Sequence, residues 1–249
     1  MKKTFKLFLV LLLINSFYAC ENNNAQDEAN EDFNNGLIAY FPFNGNADDE
    51  SGNNNDGTVS GASLTNDRFG NPNSAYYFDG IDDYIESTST PFNFGYEPFS
   101  FSVWINVKSI DFLDFRWGTI IEKNNYGPSH KSPVLLFLPD STIAFGAAGW
   151  YTNPEENAKG TTRLDFNKWY HIVGVRSNNS QKLYINGVLE ASENKTNLES
   201  GNSYNLRIGR RQQWLNNEDG AFTGDIDDIR IFDRSLTENE IIALFNEKK

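Results

Sequence analysis

Gly224-Asp225-Ile226-Asp227-Asp228-Ile229-Arg230-Ile231-Phe232 reads as a β-strand, with isoleucine and phenylalanine in near-alternation with polar residues. Two adjacent carboxylates in such a strand are costly unless something positive meets one of them. A bound cation is one answer. Backbone amides, Arg230 or Ser and Thr hydroxyls are the other. Directly after it, Ser235-Leu236-Thr237-Glu238 has capping-box spacing, and Ile241, Ile242, Leu244 and Phe245 recur at helical intervals. The chain closes with one strand and one short amphipathic helix.

Upstream, extended segments follow one another at short spacing. Leu37–Phe43 is a strand candidate that Pro42 confines to an edge or a strand end. Ala75–Phe78 and Tyr84–Glu86 flank Asp79-Gly80, which predicts two strands across a tight turn. Phe99, Phe101, Val103, Ile105 and Val107 alternate with Ser100, Ser102, Trp104 and Asn106, the pattern of a central strand with its Phe/Val/Ile face in the core. Further strands are expected at 118–123, 134–138, 142–145, 169–176 and 206–209, and 182–185 and 188–191 flank the hairpin signal Asn186-Gly187. Roughly a dozen strands with one terminal helix give an all-β double sheet.

The first 20 residues stand apart. Lys2, Lys3 and Lys6 precede an apolar run, Leu7–Ile14, too short to span a bilayer. Phe17-Tyr18-Ala19-Cys20 resembles the lipobox of bacterial lipoproteins, in which the cysteine is lipidated; a plain secretory signal is the alternative. Cys20 is the only cysteine, so neither a disulfide nor a thiol metal cluster explains it. Residues 21–35 are polar and acidic, and are expected to form a disordered tether reaching about 20 Å. The net charge is −13, and removing the signal takes away three lysines and no acid. That argues against nucleic acid and against anionic lipid surfaces as partners. Any membrane attachment is through the lipid alone.

Several segments together resemble a known family: Asp49-x-Ser51-Gly52-Asn53; Tyr77-Phe78-Asp79-Gly80-x-Asp82-Asp83-Tyr84; Phe99–Trp104; Lys168-Trp169-Tyr170-His171; Leu183-Tyr184-Ile185-Asn186-Gly187; and the closing strand. They resemble the LamG-like jellyroll domains of the concanavalin A-like lectin/glucanase superfamily over residues 36–246. The resemblance implies a two-sheet antiparallel jellyroll sandwich with a short C-terminal helix over 36–249. It also implies a secreted or surface-displayed binding or adhesion module, which the lipobox-like Cys20 would anchor in the cell envelope. Its partner is expected to be a carbohydrate or an extracellular protein, and a structural calcium is expected. Matched residue by residue, the calcium acid falls on Asp227, with carbonyls from Pro42 and Gly80 and a further carboxylate from Asp79.

Catalysis has little support. No segment carries the Glu-x-Asp-x-x-Glu run of the superfamily's glucanases, Glu155-Glu156 lies in a Pro- and Asn-containing loop, and His130 has no evident partner. His171, Trp104 and Trp169 are expected in the core. Trp117, Tyr126, Trp150, Tyr151 and Trp214 lie in polar, irregular stretches, with Arg210 beside them. Flat aromatic faces suit pyranose rings, so these residues are either a sugar-binding set or anchors for the sandwich's end loops.

Overall fold

Strand β15 (Thr223–Phe232) is the seam of the molecule. The computed structural model describes residues 33–88, 90–110, 117–123, 133–146, 157–194, 201–211 and 220–248, all within one compact unit, Glu31–Lys249. Two antiparallel sheets account for the strands. The first runs β13 (Val188–Asn194), β12 (Ser180–Ile185), β11 (Trp169–Arg176), β6 (Phe99–Val107), β15, β4 (Ala75–Asp79), β3 (Ser63–Thr65), and β1 (Leu37–Phe41) also pairs with β15. The second runs β10 (Ala158–Lys159), β9 (Ile143–Gly146), β8 (Val134–Phe137), β7 (Gly118–Glu122), β14 (Leu206–Ile208), β5 (Tyr84–Ser87), β2 (Thr58–Ser60). Phe41, Phe78, Phe101, Phe145 and Phe222 fill the space between the two.

One edge of β15 is shared by two partners. β4 pairs with Thr223–Ile226 and β1 with Ile229–Phe232. The acid pair Asp227-Asp228 falls at the junction, where neither strand pairs. On the other edge, Asp227 lies opposite Trp104 and Arg230 opposite Ser102, so the register slips by one residue in a β-bulge. Asp228 has φ +45°, a conformation unusual for a non-glycine residue.

Arg68, between β3 and β4, fills this junction. Its guanidinium ion-pairs with Asp228 and lies 3.2 Å from Asp227 Oδ2. The arginine side chain is 5% exposed and the two carboxylates 0% and 2%. Asp227 Oδ1 accepts the Asp228 amide at 2.8 Å, Tyr40 Oη donates to Asp228 Oδ1 at 3.2 Å, and the guanidinium lies over the Trp104 ring at 4.5 Å.

Helix α1 (Glu238–Asn246) covers the outer face of the first sheet. Ile241 and Leu244 pack on Val173, Val175, Tyr184 and Phe232, and Phe245 stacks on Trp104. This cover is why all nine residues of β6 are buried, including its polar set. The capping box is real but two residues later than expected: Thr237 caps Glu240 N, and the Glu240 carboxylate returns the bond to Thr237 N.

Four further expectations need correction. β4 and β5 do not form a hairpin; they lie in different sheets, and the Asp79–Asp83 connection crosses the sandwich, carrying both Phe78 and Ile85 into one core. Trp169 is half-buried rather than core. The tether's last residues belong to the fold: Phe33 packs against the helix-side cluster, and Asn35 O accepts from Arg234 Nε at 2.7 Å. β3 and β10 were not expected as strands, being three and two residues long. Residues 1–32, with the signal, Cys20 and most of the tether, lie outside the described residues.

Replacing Arg68 by Ala leaves two buried carboxylates facing each other, and should cost about 3–5 kcal/mol in urea unfolding. The triple change Arg68→Met, Asp227→Asn, Asp228→Asn should cost clearly less than Arg68→Ala alone.

Candidate functional site

The expected calcium ligands do not surround one point. Asp79 lies opposite Thr223, and the Gly80 backbone packs against the Thr223 side chain. Asp227 is four residues further along β15, about 13 Å away. Pro42 is near the acid pair, since Phe41 lies opposite Ile229. Calcium requires 6–8 oxygens, and the group facing both carboxylates here is a guanidinium. The residues at Asp227 therefore do not fit calcium, and Arg68 supplies the positive charge. Asp79 belongs instead to a group with Asp82 and Asp83, whose carboxylate oxygens lie within 4.8 Å of one another. The turn's own bonds arrange two of these, with Asp83 Oδ2 accepting Asp79 N and Asp79 Oδ1 accepting Ile81 N.

His171 is buried. Its Nε2 lies 2.8 Å from Ser102 Oγ, and its ring clusters with those of Trp104 and Phe245, which also stack on each other. Burial, then Arg68 and Arg230, push its pKa down to about 3, which holds the imidazole neutral. Ser102 and His171 are each 1% exposed, and their packing is that of core residues.

Of the aromatic and arginine set, the described residues include Trp117 and Arg210. Tyr126, Trp150, Tyr151 and Trp214, with His130, Glu155 and Glu156, lie outside them. Arg210 turns away, donating to Asp82 O at 3.3 Å beside the β4–β5 connection. Trp117 packs against Val134, Leu136, Leu138 and Ala144 on the outer face of the second sheet. The segments carrying the other four aromatics all begin or end on strands of that same sheet, after β7, β9 and β14.

That outer face holds a charged row the sequence reading did not single out. Glu86, Arg207 and Glu122 are neighbours across β5, β14 and β7. Alternation places them there, because Ile85, Leu206, Ile208 and Ile121 point into the core. Arg207 Nε donates to Glu86 Oε2 at 2.7 Å, and its guanidinium lies 4.3 Å from the Tyr84 ring centroid. Asn205 Nδ2 donates to Glu86 Oε1 at 3.1 Å. Arg207 and Glu86 are 16% and 26% exposed, whereas Glu122 is only 3% exposed. The face therefore opens to solvent at Tyr84, Glu86 and Arg207 and closes over Glu122. Burial pushes the Glu122 carboxyl up to about 7, against the opposing pull of Arg211 and Arg207. Glu122 Oε2 and the neighbouring Thr119 hydroxyl have no hydrogen-bond partner among the described residues. Lys123, next along the chain, is tied off by Asn202, whose carbonyl accepts from Nζ at 2.6 Å.

A family model described as the concanavalin A-like lectin/glucanases superfamily matches residues 78–242. No curated protein sequence matches. Among solved structures, domain 4 of AbnA, a GH43 extracellular arabinanase from Geobacillus stearothermophilus in complex with arabinotriose, has a TM-score of 0.61 at 19% identity, covering 84% of this chain and 98% of that one. The binding domain of Paraclostridial Mosquitocidal Protein 1 has a TM-score of 0.63 at 19% identity, over 85% of this chain and 52% of that one. A sialidase from Trypanosoma rangeli has a TM-score of 0.64 at 15% identity, over 84% and 32%. At these identities the likeness is one of fold.

Glu122 and His171 make opposite contributions to stability with pH. The unfolded chain ionises Glu122 near pH 4.5 and the folded one near 7, so unfolding releases a proton in that window and raising the pH favours the unfolded chain. His171 takes up its proton near 6.5 unfolded and near 3 folded, so stability falls as pH drops through that window. Glu122→Gln should therefore gain stability over the wild type between pH 4.5 and 7, by on the order of 3 kcal/mol, and lose stability faster on acidification. Urea titrations at pH 4.5, 6 and 8 check this.

Proposed function

From a chain that belongs to the concanavalin A-like lectin/glucanases superfamily, we propose a non-catalytic carbohydrate-binding module whose binding surface is the outer face of the second sheet. The observation that carries this reading is the row Tyr84–Glu86–Arg207–Glu122. It combines an aromatic ring, a fixed fork of donors and the Glu86 carboxylate at the partly exposed end of one face, with Glu122 buried at the other. A hydroxyl-rich ring needs that mixture: an apolar plate and a few convergent polar groups. Trp117 packs on the same face, and the segments with Tyr126, Trp150, Tyr151 and Trp214 adjoin strands of that sheet in sequence. The proposal includes display on the cell envelope through lipidated Cys20.

Catalysis is disfavoured by the pairing of the acids. Glu86 is held in an ion pair by Arg207, which leaves Glu122 without a second free carboxylate on its row.

Isothermal titration against oligosaccharides found by glycan array should give micromolar to millimolar binding, weakened about tenfold by Arg207→Ala. A silent array ends the reading, and release of reducing sugar from a polysaccharide panel would replace it with an enzyme. Labelling with a radioactive fatty acid should mark the wild type and not Cys20→Ala.

A further inference from the structure

Where the outer face of β11 and β12 meets the first turn of α1, the structure holds an open cavity of about 190 Å³. Alternation builds its sheet side. Leu183 and Ile185 point into the core, so Lys182 and Tyr184 face outward, with Val175 opposite Lys182 on β11. Val175, Tyr184 and Leu236 belong to the helix-side cluster and supply an apolar lining. Lys182, Ser180 and Glu238 supply a polar one. These polar groups keep capacity to spare. Lys182 is half-buried, and its ammonium meets neither an acceptor nor a carboxylate among the described residues. Glu238 is exposed and accepts one long bond, from Tyr184 Oη to Oε1 at 3.4 Å. Ser180 Oγ shares a bond with Ser177 Oγ at 2.9 Å and can accept another. Two opposite charges thus line one small cavity without pairing.

Resting on the carbohydrate reading above, we propose that this cavity is a second sugar site, on the opposite sheet from the first, for a single neutral ring such as the terminal residue of a glycan. Ring hydroxyls accept from Lys182 Nζ and donate to Glu238 Oε2, because a hydroxyl both gives and takes a bond. The apolar face of the ring lies on Val175, Tyr184 and Leu236. Size sets the one-ring limit, since pockets for drug-sized ligands run to roughly 300–1,000 Å³ and this one is smaller. Charge sets the neutrality. An acidic sugar that satisfies Lys182 meets the Glu238 carboxylate, and a cationic ligand that satisfies Glu238 meets Lys182.

The test is a titration of the isotopically labelled mature protein, followed at each backbone amide by two-dimensional NMR. The probes are neutral methyl glycosides (of glucose, galactose, mannose, xylose and arabinose), two acidic sugars (galacturonic acid and N-acetylneuraminic acid) and the free zwitterion alanine. The expected result is millimolar, saturable binding of a neutral glycoside that shifts the amides of Val175, Lys182, Leu236 and Glu238. Lys182→Met keeps the side-chain stem and removes the donors, and should weaken that binding roughly tenfold; Glu238→Gln should weaken it severalfold. Unmoved amides elsewhere in both variants confirm that each is folded. Tighter binding of an acidic sugar or of alanine in the cavity overturns the inference, as does binding there that Lys182→Met leaves unchanged. If sugars shift the amides of Tyr84, Glu86 and Arg207 but not those of the cavity, the cavity holds water only and the carbohydrate reading stands. If no sugar moves either set, the carbohydrate reading fails and this site with it.

Discussion

A single guanidinium facing two adjacent carboxylates is the constraint on which the first sheet depends. β15 must accept β4 along its first half and β1 along its second, and the change of partner leaves a gap. Asp227 and Asp228 sit at that gap, on a bulge, where their oxygens are turned away from regular ladder bonding. Without Arg68 the gap would hold two buried negative charges, an arrangement that costs several kcal/mol. With it, three chain segments far apart in sequence are fixed at one point. Arg230 repeats the device a step further on: it lies over the Tyr40 ring at 4.1 Å and forks onto the Glu247 carboxylate at 2.6 and 3.0 Å, tying the end of α1 to β15.

Much of this was legible in the sequence because it was written in period two. The β6 alternation, the Asn186-Gly187 hairpin and the closing strand stand where pattern and turn chemistry put them, with Asn186 and Gly187 both at positive φ as a type I′ turn requires. Partner choice was less legible. Asp79-Gly80 marks a turn, but a turn signal does not say whether the chain re-enters its own sheet or crosses to the opposite one. The acid pair announced a nearby positive charge correctly and left its identity open. Arg68 is separated from Asp227 by most of the domain, and nothing local in Asp67-Arg68-Phe69 points to β15.

The candidate site shows the same division. Aromatics in loops stand out in a sequence, so Trp117 was singled out, and it packs on the outer face of the second sheet. Glu86, Glu122 and Arg207 were not, because each is one polar residue in an unremarkable strand, and only sheet order makes them neighbours. Period-two burial at 206–208 and 84–87 was the available signal for which way those side chains face. The outer face that results is uneven by construction. At β5 and β14 it is open and ion-paired; at β7 it is closed, with a carboxyl whose proton is poised near neutrality.

The polar loop after β1 shows how the sheet protects itself. Asp49 accepts the Tyr40 amide at 2.8 Å, while Asn53 and Asn55 side chains donate to the Leu37 and Ile38 carbonyls. These groups stand in for a neighbouring strand, so the free edge of β1 offers little to a passing chain. Copies of this chain that meet along that flank are thus insulated from strand-to-strand polymerisation.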